Sequence, residues 1–408
     1  MKKENINYLC ELKKEFVLNN VDVIFVDTRW KYTSDVDLLV SKKTFSKYLK
    51  LIGEKRFNKF SYHSYWKKYY LKYSLGEILF LDSHINQYES ASKQILQFNN
   101  SKEFSAEQQI YLFLFKAEYK DFSGYVSATK KLLSMKFNKE KFKLYLKETF
   151  SNYDELYYLI MQKKWMKIKP VYNLKYKFKS LICVIRNYFF KLINLFYKLI
   201  KPAPYVVIMG TDGSGKTTTL KNVQSVFNKS CLNVVFSRGD RFSFKCLPIN
   251  TLLKKTIKIS QKKSLVTIKG DVAKYSSNIL SYFVPFVYFL EYFLRYFLII
   301  FPQRIKHDLI VEDRYYLDLL TSQNVNQKLI KFLYNFFPHP SGIVYLYNDL
   351  DVINKRRPSH PLEDIQYQQK KFLEHKHFFN LLVKTKTKNN TLDLVMSYLI
   401  GELTRKSK

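Results

Sequence analysis

The sequence predicts an α/β chain in which a C-terminal parallel sheet flanked by helices follows a smaller α+β domain. Three observations carry that reading. After residue 203, apolar runs of strand length alternate with helical stretches, the pattern of a parallel sheet covered on both faces. The run 205–209 is apolar throughout and ends on Gly210, as a strand buried on both faces reads. Residues 21–40 hold two short apolar runs, after which the apolar spacing of residues 109–116 turns helical. The domains that follow are residues 1–150, a basic helical linker at 151–202, and residues 203–408.

A chain of 408 residues has room for two or three domains, so a peptide or a disulfide scaffold is excluded. Its 47% hydrophobic content, with 25% charged residues, excludes disorder as the main state. Against 34 Asp+Glu stand 69 Lys+Arg, a net charge of +35 that attracts phosphates, nucleic acid or anionic lipid. AT-rich codon usage produces the same excess of Lys, Tyr and Phe, so local clusters mean more than the total. Cys10, Cys183, Cys231 and Cys246 have no CxxC spacing and signal neither zinc nor disulfides. A reducing cytoplasm is the expected home of cysteines so scattered, and the first residues lack the apolar core of a signal peptide.

In chain order, strands are expected at 21–26, 36–40 and 78–81, then helix. Residues 161–202 contain no acid but many lysines. Within them Leu181, Ile185, Tyr188, Leu192, Phe196 and Leu199 form one helical stripe, opposite Asn187, Lys191, Asn194, Lys198 and Lys201. This basic amphipathic helix, 171–201, reads as a linker packed on the next domain, as a membrane-surface helix or as a nucleic-acid contact. Further strands are expected at 232–236, 309–311 and 343–346. Residues 279–301 are long and apolar enough to span a bilayer, but Glu291 and Arg295 share one helix face inside them. A buried core helix is therefore expected, with a transmembrane helix and monotopic membrane attachment as its rivals.

Gly210-Thr211-Asp212-Gly213-Ser214-Gly215-Lys216-Thr217 fits the P-loop pattern G-x-x-x-x-G-K-[ST] at every fixed position, directly after a strand and before a helix. Glycines let backbone N–H groups wrap phosphates, the helix start adds a positive dipole end, Lys216 reaches the β/γ oxygens and Thr217 offers a hydroxyl to Mg²⁺. ATP with Mg²⁺ is the expected ligand.

Extended by Thr218, this run resembles the thymidylate kinase family's version of the loop, with Asp212 as its distinguishing letter. The resemblance covers roughly residues 203–400. It implies that Asp212 touches the acceptor or helps place Mg²⁺. Leu309-Ile310-Val311-Glu312-Asp313-Arg314-Tyr315 is similar to the family's strand ending in Asp-Arg-Tyr, which implies a metal and acceptor role for Asp313 and a phosphate grip for Arg314. Arg356, with Arg357 beside it, falls where the family folds an arginine over the nucleotide, and residues 363–376 would close the site. The resemblance thus implies a catalytic set of Lys216, Asp313, Arg314, Arg356 and Asp212. Cofactor contacts would come from residues 210–218 and Arg356, and metal contacts from Thr217 and Asp313. Arg238 matches an acceptor-phosphate arginine, but Ser237-Arg238-Gly239-Asp240 lacks the family's Glu-Pro-Gly-Gly, leaving the acceptor open.

Asp35 and Asp37 stand two apart at the start of a strand, so both leave one face, and Asp82 ends another apolar run in Leu81-Asp82-Ser83-His84. Three carboxylates on neighbouring strands suit two-metal chemistry. This set resembles the nucleotidyltransferase superfamily, without its Gly-Ser pair, for which Arg29 is a candidate substitute as phosphate ligand.

The expected activity is transfer of the ATP γ-phosphoryl to a nucleotide, sugar or lipid-linked acceptor. The alternatives are nucleotidyl transfer at the Asp-x-Asp site with a regulatory second domain, and an ATP-switched protein that binds membrane or nucleic acid. Expected partners are ATP, a phosphate or hydroxyl acceptor, an anionic membrane surface at 171–201 on the inner face, a second copy of the chain and, behind these, nucleic acid.

Overall fold

The computed structural model describes residues 3–26, 35–62, 67–74, 76–85, 87–90, 93–97, 105–117, 133, 136–164, 167–230, 232–238, 266–269, 272–275, 278–322, 325–356, 358, 361–385 and 387–405. They form two compact units that divide between Phe196 and Tyr197.

The first unit is built on a five-stranded mixed sheet, order β1-β2-β5-β4-β3, with β1 Val23–Phe25, β2 Asp35–Val40, β3 Asn58–Tyr62, β4 Lys67–Ser74 and β5 Glu77–Ile85. Its central pair β2/β5 is parallel, and register places Asp37 opposite Asp82 and Leu39 opposite His84. Alternation sorts the strand residues between two cores. Val36, Leu38, Val40, Leu79 and Leu81 pack with Leu9, Leu12 and Phe16 of α1 (Lys3–Leu18) and with Tyr48, Leu51 and Ile52 of α2 (Phe45–Glu54). On the other face Leu39 and Ile24 join Ile110 and Tyr111 of α3 (Ala106–Ala117), Phe142 and Leu146 of α4 (Lys139–Thr149), and Leu156 and Ile160 of α5 (Tyr153–Met161). A short hairpin, β6 Gln87–Ser90 with β7 Lys93–Gln97, follows the sheet.

Residues 151–202 divide differently from the expected linker. Leu156 and Ile160 bury with Phe142, and Tyr172 stacks on Tyr176 at 5.0 Å, so residues 153–176 belong to the first unit's core. Charge dominated the sequence pattern there and concealed the one-turn spacing of the two apolar anchors. The long helix α6 (Leu174–Ile200) leaves this core and crosses the division between the units.

The second unit carries a five-stranded parallel sheet with helices around it. Its order is β14-β13-β8-β12-β9, with β8 Tyr205–Gly210, β9 Val234–Arg238, β12 Leu309–Asp313, β13 Gly342–Tyr347 and β14 Leu381–Lys384. Every residue of β8 is buried, which is why its sequence is apolar without alternation. β8 is central, so the loop after it emerges at the middle of the sheet's C-terminal edge, where open parallel sheets place ligands. A separate hairpin pairs β10 Val266–Lys269 with β11 Val272–Tyr275.

Among the described residues one helical stretch, Tyr282–Lys306, is long and apolar enough to cross a membrane. Three segments make it up: α8 (Asn278–Arg295), a π-helical turn over Tyr296–Ile300, and α9 (Phe301–Lys306). Pro285 and Pro302 each remove a backbone donor, and the wider turn lies just before the second. Tyr288, Tyr292, Tyr296 and Ile300 sit in the main core with Tyr315, Tyr316 and Phe337. The charges that raised the question are buried as well. Arg295 pairs with Glu312, and Arg304 donates to Tyr296 Oη and, at 2.6 Å, to the Ala203 carbonyl. This face is core, whereas Phe283, Phe286, Phe297 and Leu298 on the other side are exposed.

Candidate functional site

The loop after β8 turns straight into α7 (Lys216–Phe227), whose first residue is the lysine of the motif. Gly213 and Gly215 have φ of 80° and 90°, left-handed values that a side chain would strain. At Gly210 the constraint is space, because a Cβ would stand 2.6 Å from the Leu346 carbonyl oxygen. No side chain caps α7 at Gly215, so its first N–H groups face the loop with the helix dipole behind them. Thr211 and Ser214 are buried, and Thr385 Oγ1 donates to the Ser214 carbonyl at 2.7 Å.

A cleft of about 450 Å³ opens on the loop. Thr211, Asp212, Gly213, Gly215, Lys216, Thr217, Thr218 and Arg356 line it, all anticipated from the sequence. Thr219, Asn222, Thr385, Thr387 and Thr391 line it as well and were not anticipated. Thr385 follows the last parallel strand, whose polar flank hid it, although ends of parallel strands are where such residues collect.

Lys216 is buried, with Nζ donating to the Gly210 carbonyl at 3.1 Å and lying 3.9 Å from Asp313 Oδ1. Burial lowers its pKa, and the Arg314 charge adds to that; Asp318, Asp313 and Asp212 oppose it. Asp313 and Arg314 reach the loop from β12. Arg314 donates to Asp212 Oδ1 at 2.9 Å and more weakly to Asp318 Oδ2 at 3.5 Å. Its φ of 73° is a strained value for a residue with a side chain, and its N–H is held by the Ile208 carbonyl at 3.1 Å. Asp318 was missed in the sequence because it lies in the turn beyond the Asp-Arg-Tyr run. Behind the site, buried Glu312 accepts from Tyr205 and pairs with Arg295, tying β12 to β8 and α8. Burial and Asp313 push the Glu312 carboxyl well above its ordinary range, and the Arg295 guanidinium works against them.

From the opposite side Arg356, at the end of α11 (Leu350–Arg356), donates to the Gly213 carbonyl at 3.3 Å. Arg357 lies outside the described residues. The helix expected to close the site, α12 (Leu362–Glu374), is anchored by buried Ile365 and by Phe372, whose ring stands 5.1 Å from Tyr345. Arg238 ends β9 beside Asp313 in register, while Gly239 and Asp240 lie outside the described residues.

The first unit holds a second cluster. Ligand atoms of Asp37, Asp82 and His84 lie within 4.8 Å of one another, and His84 Nε2 is 3.3 Å from Asp82 Oδ1. Asp35 lies on β2 two residues before Asp37, and its side chain is outside the described residues, as is Arg29. His84 was quoted in the sequence but not counted as a ligand. Its place two residues after Asp82, on the same face of β5, was the available signal.

No family model and no curated protein sequence matches the chain. Among solved structures it is similar to a thymidylate kinase from Ehrlichia chaffeensis at 14% identity and a TM-score of 0.31, over 48% of this chain and 99% of that one. A likeness that distant leaves the chemistry of the loop to be read from its own residues.

Proposed function

We propose that the second unit binds ATP with Mg²⁺ on loop 210–217 and transfers the γ-phosphoryl group to a phosphate or hydroxyl acceptor. The observation that carries this is Lys216, a buried cation under a glycine-turned loop at an uncapped helix start, with Arg314 and Arg356 reaching the loop from two sides. A triphosphate is the ligand whose charge such a site compensates. Lys216 would hold the β/γ oxygens, and Arg356 would neutralise charge spread over the transferred group. Arg314 would exchange Asp212 for an acceptor or γ-phosphate oxygen, freeing that carboxylate to meet the acceptor. The Thr217 hydroxyl and the Asp313 carboxylate are hard oxygen donors that suit Mg²⁺, which when bound screens charge on the phosphate oxygens. Ser237-Arg238-Gly239-Asp240 on the acceptor side points away from thymidine monophosphate toward a larger or non-nucleoside molecule.

The test is γ-³²P transfer from ATP to a panel of nucleoside monophosphates, sugars, sugar phosphates and polyprenyl phosphates. Lys216→Ala should abolish transfer with the fold intact, and unchanged transfer in that variant would refute the reading. Asp313→Asn and Arg314→Ala should lower turnover more than ATP affinity.

A second reading rests on Asp37, Asp82 and His84. Two carboxylates and an imidazole on adjacent strands fit a divalent ion and would support nucleotidyl transfer by the first unit. Nucleotide incorporation lost in Asp37→Asn but kept in Lys216→Ala would favour it.

A further inference from the structure

Among the described residues, helix α6 exposes more large apolar side chains than any other element. It runs 27 residues, about 40 Å at 1.5 Å per residue. The apolar stripe read from the sequence is exposed among the described residues: Leu181, Ile185, Tyr188, Leu192, Phe196 and Leu199 are all exposed, Tyr188 and Phe196 to 65% each. A soluble helix leaves single apolar residues in water, not a continuous stripe about five turns long. On its opposite face stand Lys191, Asn194 and Lys198, and the sequence from 161 to 202 contains no acid.

We infer that α6 lies flat on an anionic bilayer, its apolar stripe sunk to the headgroup boundary and its lysines at the phosphates. Charge selects this occupant. A second copy laid along the stripe would cover the apolar side chains but leave the lysines of the other face unpaired, with no carboxylate between 161 and 202 to meet them, whereas a bilayer takes up the stripe while the long lysine side chains snorkel to anionic headgroups. A membrane-spanning placement is excluded by Arg186, Lys191 and Asn194, which fall in the middle of the helix and would sit at bilayer depth. Tyr188 and Tyr197 suit the interface, where a ring with a polar end is at home. Such a surface would hold the second unit next to lipid and would favour a membrane-borne acceptor, an extension that rests on the proposed transfer reaction; the binding itself does not.

The test is co-sedimentation of the full-length protein with vesicles of phosphatidylcholine alone and of phosphatidylcholine mixed with phosphatidylglycerol. Binding should require the anionic lipid and should fall at least about tenfold between 0.1 M and 1 M salt, as the Debye length shortens from about 10 to about 3 Å. The triple variant Ile185→Asn, Phe189→Asn, Phe196→Asn should lose it, as should Lys175→Glu, Lys177→Glu, Lys191→Glu. These side chains are exposed, so circular dichroism and unfolding midpoints should not change. Equal binding to both lipids, no binding to either, or retention by both variants would overturn the inference. So would a dimer that the apolar variant dissociates without vesicle binding, or RNA binding in place of lipid binding. Phosphoryl transfer to soluble acceptors should survive both variants, which separates failure of this inference from failure of the kinase reading.

Discussion

Lys216 has to remain a cation where burial works against it. Its pKa lies below the ordinary lysine value of 10.5 because desolvation and Arg314 outweigh three carboxylates. A triphosphate beside Nζ would favour the charged form and raise that pKa again. The sign follows from linkage: between the lowered value of the free protein and the raised value of the complex, binding takes up a proton, so ATP affinity falls as pH rises through that window. Titration calorimetry at alkaline pH, in two buffers of different ionisation enthalpy, should show net proton uptake on ATP·Mg²⁺ binding. Lys216→Ala should remove it, and uptake that persists in this variant would assign the proton elsewhere. The loop was legible because all its determinants are local: two left-handed glycines, one lysine and one helix start within eight letters. The Arg314–Asp212 pair, 102 residues apart in the chain, was not, since only the sheet order brings β12 beside β8.

At the scale of elements, burial separates β8 from α6 although both are rich in apolar residues. Ile208 is fully buried between neighbours on both sides of the sheet, whereas Leu192 stands in solvent. Ile208→Ala should destabilise the second unit by about 2–5 kcal/mol, through lost burial and the cavity left behind. Leu192→Ala should change stability by less than about 0.5 kcal/mol. Urea unfolding measures both, and similar losses would mean that α6 is covered in solution. This contrast marks where the sequence stops speaking. An apolar stripe shows that a helix has two faces, but not whether anything lies against one of them. Strands fared by the same rule. The continuous runs of β8, β12 and β13 read plainly, whereas β3 and β4 mix Lys with Tyr and Phe without a regular alternation and were not read as strands. β14 is four residues long and was lost among its lysines.

For the molecule as a whole, the two units have separate cores and separate candidate ligands. Ile24, Leu39 and Phe142 anchor one core, while Val207, Tyr292 and Tyr345 anchor another, so unfolding need not be a single two-state event. A ligand stabilises the unit that binds it, by about 2.7 kcal/mol at a hundredfold excess over Kd. Calorimetric scans should therefore show two transitions that ligands move independently. ATP·Mg²⁺, compared with Mg²⁺ alone, should raise only the transition that Ile208→Ala lowers, and Lys216→Ala should abolish the shift. Mn²⁺ without nucleotide should raise the other, through Asp37, Asp82 and His84, and Asp82→Asn should abolish that shift while leaving the response to ATP. Each pair of results isolates one site, because the substituted residue lies in the unit whose transition it affects. If both transitions rise together with either ligand, the two units unfold as one and the assignment of one ligand to each core is wrong.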